Sequence, residues 1–255
     1  MQQSGSASLP ALDVEGVLFD IDDTLVDLEQ AMGHTLQSIP DRALDHLDDD
    51  GWAQYKALFT ADPQRHYDRF LAGEVSFREQ RIHRVRHARA GLTAEPFLGV
   101  AVEAWERSYE QTLPLHFRAY DDVGALLDAL DARGIPFGAV SNNVHDYQRA
   151  KLDRSGLSRI EVLVGIDTVG AAKPDPAIYL EGSRLIGTKP ERTLYVGDNL
   201  LLDAIGATEA GLVGVWLDRA GRGEAASPGT AASVGESMPR IGSLFGVLQF
   251  LPPVR

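Results

Sequence analysis

Four short apolar runs in this chain end at polar residues, with helical patterns between them, and this alternation restricts the fold more than any other feature. Gly16-Val17-Leu18-Phe19 runs into Asp20, Ile135-Pro136-Phe137-Gly138-Ala139-Val140 into Ser141-Asn142-Asn143, and Thr193-Leu194-Tyr195-Val196-Gly197 into Asp198. Val162-Leu163-Val164-Gly165 precedes a loop carrying Ala172-Lys173-Pro174-Asp175-Pro176. Helical patterns cover 144–155, 176–186 and 200–210. Strands alternating with helices of this length predict βαβ units, and so an α/β fold with a doubly wound parallel sheet. Strands of such a sheet all finish on one edge, so Asp20, Ser141, Lys173 and Asp198 are predicted to converge there.

The densest chemistry lies in Phe19-Asp20-Ile21-Asp22-Asp23-Thr24-Leu25, where two carboxylates stand two residues apart at the end of the first run. Taken alone, the stretch has the look of an Asp-rich turn. Carboxylates this close do not ionise together freely. The pair therefore calls for a divalent cation, for one carboxyl held as a proton donor, or for both. Asp198 and Asp203 add two more carboxylates, and Lys173 is the single lysine among them. Such a site repels a phosphate dianion unless a hard cation is bound.

The next strand after Asp20 comes at Ile135, and the segment from about Leu28 to Phe117 has a helical pattern, with candidate helices at 29–39, 51–59, 76–90 and 97–111 separated by Pro40-Asp41, Asp62-Pro63 and Gly91-Leu92. A structureless loop of that length is improbable in a compact domain, so a second, helical domain is expected. Within it Arg78, Arg81, Arg84, Arg86 and Arg89, with His83 and His87, form a basic run. Helical spacing puts Ile82, Val85 and Arg89 on one stripe and predicts that most of the other arginines are solvated or paired with surface acids.

The motifs Asp20-x-Asp22-x-Thr24, a strand-ending Ser141, Lys173 before Pro174, and Gly197-Asp198 followed by Asp203 occur in that order. In these residues the chain resembles the haloacid dehalogenase superfamily, specifically its phosphatase members. The resemblance implies a Rossmann-like α/β core, residues 11–27 with 118–255, and an α-helical cap, residues 28–117, inserted after the first motif; residues 1–10 are expected to be a flexible N-terminus. It implies a Mg2+-dependent phosphatase that hydrolyses a small phosphomonoester through an aspartyl-phosphate. Asp20 is then the nucleophile and Asp22 the general acid/base. Mg2+ is held by the Asp20 and Asp198 side chains and the Asp22 backbone carbonyl, with Asp203 behind them. Ser141 and Lys173 are catalytic and bind the phosphoryl group, together with Thr24 and Asn142.

Rival readings are a phosphomutase on a sugar phosphate, a haloacid dehalogenase, for which the Asp22 acid/base is superfluous, and a non-catalytic phosphate-binding protein. A formal charge of −13 argues against a nucleic-acid polymer or an anionic membrane as partner, and leaves a small phosphorylated metabolite. The absence of cysteine removes disulfides and thiolate catalysis and fits a reducing compartment. With no basic-then-apolar leader in 1–10, the expected location is cytoplasmic, for a monomer or homodimer. The tail is expected to be a loop over 219–237 and a closing helix over 241–251.

Overall fold

The computed structural model describes residues 13–221 and 238–252. The expectations for 1–10 and for most of the 219–237 loop lie outside the described residues. Chain contacts define two compact units, Met1–Val26 with Ala119–Arg255, and Asp27–Arg118.

Strand β1 (Gly16–Phe19) is followed by α1 (Leu28–Ser38), α2 (Asp49–Ala61), α3 (His66–Leu71), α4 (Phe77–Ala90) and α5 (Val100–Thr112). The chain continues through α6 (Asp121–Asp131), β2 (Phe137–Val140), α7 (His145–Arg154), β3 (Val162–Val164), α8 (Ile166–Val169), α9 (Pro176–Leu185) and β4 (Thr193–Gly197). A π-helical turn, Leu200–Ile205, runs into α10 (Gly206–Glu209), and β5 (Val213–Leu217) and β6 (Arg240–Ile241) follow. The segment expected to close the chain as a helix is a 3-10 stretch, Leu244–Phe250.

The expected doubly wound sheet is formed, with strand order β3-β2-β1-β4-β5-β6 and every pairing parallel. All four residues of β1 are buried, as a central strand covered on both faces requires. Leu18 pairs in register with Gly138 of β2 and Tyr195 of β4. Its side chain joins Val140, Val164, Ile178, Tyr179 and Tyr195 in one core cluster. The strand order reverses between β1 and β4, which is where open parallel sheets leave a crevice beyond their carboxyl ends. Asp20 follows β1 and Asp198 follows β4, so the two acids flank that point.

The helical unit is held by aromatic packing of Phe59, Trp105 and Tyr109, with ring centroids 5.0 to 6.1 Å apart. A capping box between Ser76 and Glu79 starts α4 and satisfies two of its unpaired end donors. Here the structure corrects the expectation for the arginines. Arg81 is buried and meets the buried carboxylate of Glu106 at 3.0 Å. Arg84 donates to the Phe59 carbonyl at 2.7 Å and lies over the Phe59 ring. Arg89, on the stripe with Ile82 and Val85, is buried with them as expected and pairs with Asp41. The helix face judged polar is half interior because guanidinium groups match carboxylates and carbonyls that neighbouring helices bury. Removing one partner of a buried ion pair leaves the other charge stranded, so Arg81→Met is expected to destabilise residues 27–118 by about 3–5 kcal/mol. Hydrogen exchange should show the loss there and not in the sheet. Arg78→Ala, which breaks an exposed pair with Glu103, should change exchange little.

Candidate active site

The loop after β1 is set by backbone bonds. Asp20 N–H extends the ladder to Val196 O at 2.9 Å, and the N–H groups of Leu25 and Val26 both return to Ile21 O at 2.9 Å. Asp23, with φ of 60°, takes the left-handed conformation that short polar residues tolerate, and this folds Thr24 back towards the sheet edge. Thr24 Oγ1 accepts from Asp198 N–H at 3.0 Å, tying the β1 loop to the β4 loop. Trp216 Nε1 donates to Asp198 O at 2.9 Å. The backbone of Asp198 is thus fixed on both sides while its carboxylate stays partly exposed.

Asn199, rather than Asp198, caps the following helical turn through its side chain, which accepts from Leu201 and Leu202 N–H. Asp203 lies in that π-helical turn and is 1 % exposed. Its Oδ2 accepts from Asn199 N–H at 2.9 Å and its Oδ1 from Lys173 Nζ at 2.7 Å. A Cβ on Gly197 would overlap the Asp203 carboxyl, so the glycine makes the room that this acid occupies.

Lys173 is 5 % exposed, and its ammonium also contacts Asp20 Oδ1 at 2.6 Å. Its loop is clamped by Asn142, whose carboxamide donates to Lys173 O at 3.0 Å and accepts from Lys173 N–H at 2.6 Å. The side chain of Asn142 thus holds the Lys173 loop in place, and that of Thr24 holds the backbone of Asp198.

Carboxylate oxygens of Asp20, Asp198 and Asp203 lie within 4.8 Å of one another. Burial pushes the Asp20 carboxyl up to about 7, against the pull of Lys173 and with the repulsion of Asp203 and Asp22. Asp198 is held well above its ordinary range by burial and by the charges of Asp20 and Asp203. Burial works against the Lys173 ammonium, yet the two acids beside it outweigh that and hold it well above its usual value. One cation among three carboxylates leaves an excess of negative charge, the condition in which a hard divalent ion binds. Since Asp203 already uses both oxygens, Asp20 and Asp198 are the carboxylates left for such an ion.

Asp22 is reached from the other side, by residues the sequence analysis did not single out. Lys151, 1 % exposed, places its ammonium against Asp22 Oδ1. Gln148 Nε2 donates to Asp22 Oδ2 at 2.9 Å and to Ser141 Oγ at 2.6 Å. The signal was present: Gln148 and Lys151 share a face with the buried Leu152 on α7, polar residues where an apolar stripe is expected.

The site residues singled out in the sequence thus gather at one edge of the sheet in two groups, Asp20-Lys173-Asp203 with Asp198, Thr24 and Asn142, and Asp22 with Ser141, joined by Gln148 and Lys151. The sequence pattern of a haloacid dehalogenase-like hydrolase matches residues 14–211, a span that contains every one of them. The chain belongs to this family.

Among haloacid dehalogenase-like hydrolases, the glyceraldehyde 3-phosphate phosphatase of Methanopyrus kandleri is 30% identical over 217 residues, covering 81% of this chain and 84% of that one. The (S)-2-haloacid dehalogenase H-109 of Pseudomonas putida is 26% identical over 211 residues, covering 82% and 87%. The magnesium-bound crystal structure of the HAD-hydrolase YfnB from Bacillus subtilis, 23% identical, shares the fold with a TM-score of 0.68 over 93% of this chain and 98% of its own. The chain is a hydrolase. Among the described residues no helix is long and apolar enough to cross a membrane.

Proposed function

We propose that the chain is a Mg2+-dependent phosphatase acting on a small phosphomonoester through an aspartyl-phosphate on Asp20. The observation that carries this reading is the division of labour between two acids two residues apart. Asp20 is buried and bound to Lys173, whereas Asp22 stands apart from that lysine, on Gln148 and Lys151. A carboxylate nucleophile and a separate acid/base are what two-step phosphoryl transfer needs, while dehalogenation leaves Asp22 without work.

An Asp20 oxygen attacks phosphorus, the bond to the leaving oxygen breaks, and the Asp22 carboxyl gives that oxygen its proton. Asp22, now ionised, takes a proton from water as the water attacks phosphorus; inorganic phosphate leaves and Asp20 is regenerated. Ser141 donates its hydroxyl hydrogen to the phosphoryl group, and Lys173 balances charge as it passes from carboxylate to phosphate. The carboxylates of Asp20 and Asp198 and the carbonyl of Asp22 would hold Mg2+, which would supply the remaining positive charge. In the same reading residues 27–118 are the cap that selects the substrate, supported by their insertion between Val26 and Ala119, directly after the nucleophile's turn.

The test is leaving-group dependence. Asp22→Asn should slow hydrolysis of an alkyl phosphate by about 10²–10⁴-fold, the usual worth of general acid catalysis, and slow p-nitrophenyl phosphate far less, because nitrophenolate leaves without a proton. An equal loss on both substrates would remove Asp22 from the role of acid.

A further inference from the structure

We infer that Lys151 and Gln148 are positioning residues that fix the plane of the Asp22 carboxylate and orient the Ser141 hydroxyl, an inference that rests on the phosphatase reading above. Asp22 sits in a loop, where a carboxylate turns freely unless something stops it. Both of its oxygens are met by donors from a single helix, α7: Lys151 Nζ on Oδ1, and Gln148 Nε2 on Oδ2 at 2.9 Å. Lys151 and Gln148 are three residues apart on a regular helix, so their spacing is rigid and neighbouring side chains share a face. Two contacts of fixed spacing on two oxygens determine the orientation of a planar group, as one contact does not.

The same Gln148 Nε2 donates to Ser141 Oγ at 2.6 Å. The serine oxygen therefore acts as an acceptor within the protein, and its own hydrogen is left for the phosphoryl group. When Asp22 is ionised, turning the amide over would place Oε1 against Asp22 Oδ2, acceptor on acceptor, so the carboxylate favours the assigned orientation. Gln148 Oε1 accepts no hydrogen bond among the described residues. An interior lysine and a glutamine with an unmet acceptor are poor choices for packing alone, where apolar side chains of similar size serve as well or better. Their cost is explained if they serve the reaction.

The experiment is a double-mutant cycle. Lys151→Met and Gln148→Met are each made in the wild-type chain and in Asp22→Asn, and kcat and KM are measured on an alkyl phosphate and on p-nitrophenyl phosphate. A misplaced acid is expected to lower kcat on the alkyl phosphate by about 10²-fold with KM little changed. The loss should be smaller on the nitrophenyl ester; in the Asp22→Asn background it should be nearly absent for Lys151→Met and reduced to the share acting through Ser141 for Gln148→Met, because residues acting through one group are not additive. Circular dichroism and the thermal midpoint check folding, and should Lys151→Met fail to fold, the Gln148→Met cycle decides the same point. A loss of equal size in both backgrounds overturns the inference and leaves the pair a structural anchor of α7. If Asp22→Asn itself shows no leaving-group preference, the phosphatase reading of Asp22 has failed and the inference falls with it, a result distinct from the first.

Discussion

Asp20→Asn is expected to lower turnover by roughly 10⁴-fold or more, the scale seen when a covalent nucleophile is removed, while substrate still binds. The substitution keeps the shape of the side chain and removes the attacking charge. The loss should come without unfolding. The Asp20 carboxyl is buried among Asp22, Asp198 and Asp203, and its raised pKa means that its ionised form is disfavoured in the folded, metal-free protein. A neutral amide lifts part of that repulsion, and Lys173 keeps Asp203 as a partner at 2.7 Å. The thermal midpoint of the metal-free variant should therefore equal or exceed that of the wild type. Acid quench of the wild type during turnover should trap one phosphoryl group on the peptide containing Asp20, and Asp20→Asn should trap none. A variant that keeps more than a few per cent of wild-type turnover would rule out covalent catalysis at this residue.

Chelation is the second large effect. Without a divalent ion, the carboxylates of Asp20, Asp198 and Asp203 face an incoming phosphate dianion with the Lys173 ammonium as the cation bound to them among the described residues. Loss of the metal should lower the rate by several kcal/mol of transition-state stabilisation, about 10³-fold or more, and added Mg2+ should restore it. Ca2+ is larger and less strict in geometry, so it should bind and support little turnover. Asp198→Asn should raise the Mg2+ concentration needed for half-maximal activity, whereas substitution of Asp203 should chiefly disturb Lys173, because Asp203 spends both oxygens on Lys173 and Asn199. Full activity in excess chelator would remove the metal from the mechanism and revive the dehalogenase reading.

The sequence carried the sheet because its strands are buried on both faces and must be apolar throughout, and because each ends at a residue an ordinary strand would not choose. β1, β3 and β4 lie where the apolar runs place them. The helix α6, with Val123, Leu126, Leu127 and Leu130 on its buried side, shows a helical period that the sequence reading passed over. β5 went unread too, a five-residue run between Leu212 and Asp218, set off from α10 by a turn at Gly211. The helix expected over 200–210 is split: a wider π-helical turn comes first, and it carries Asp203.

By itself, then, the sequence determined the order of strands and helices, the helical insertion, and the set of acids, serine and lysine that the strand ends deliver, since hydrophobic period and strand termini are local properties of the chain. Only the tertiary structure decided how those residues are shared out. It gave Lys173 to Asp20 and Asp203, tied Thr24 to the Asp198 backbone and Asn142 to the Lys173 loop, drew Arg81 into the interior of the helical unit, and brought Lys151 across 129 positions to Asp22. A buried charge is governed by whichever opposite charge the fold sets beside it, and that partner is distant in the chain, so no window of sequence contains the pair.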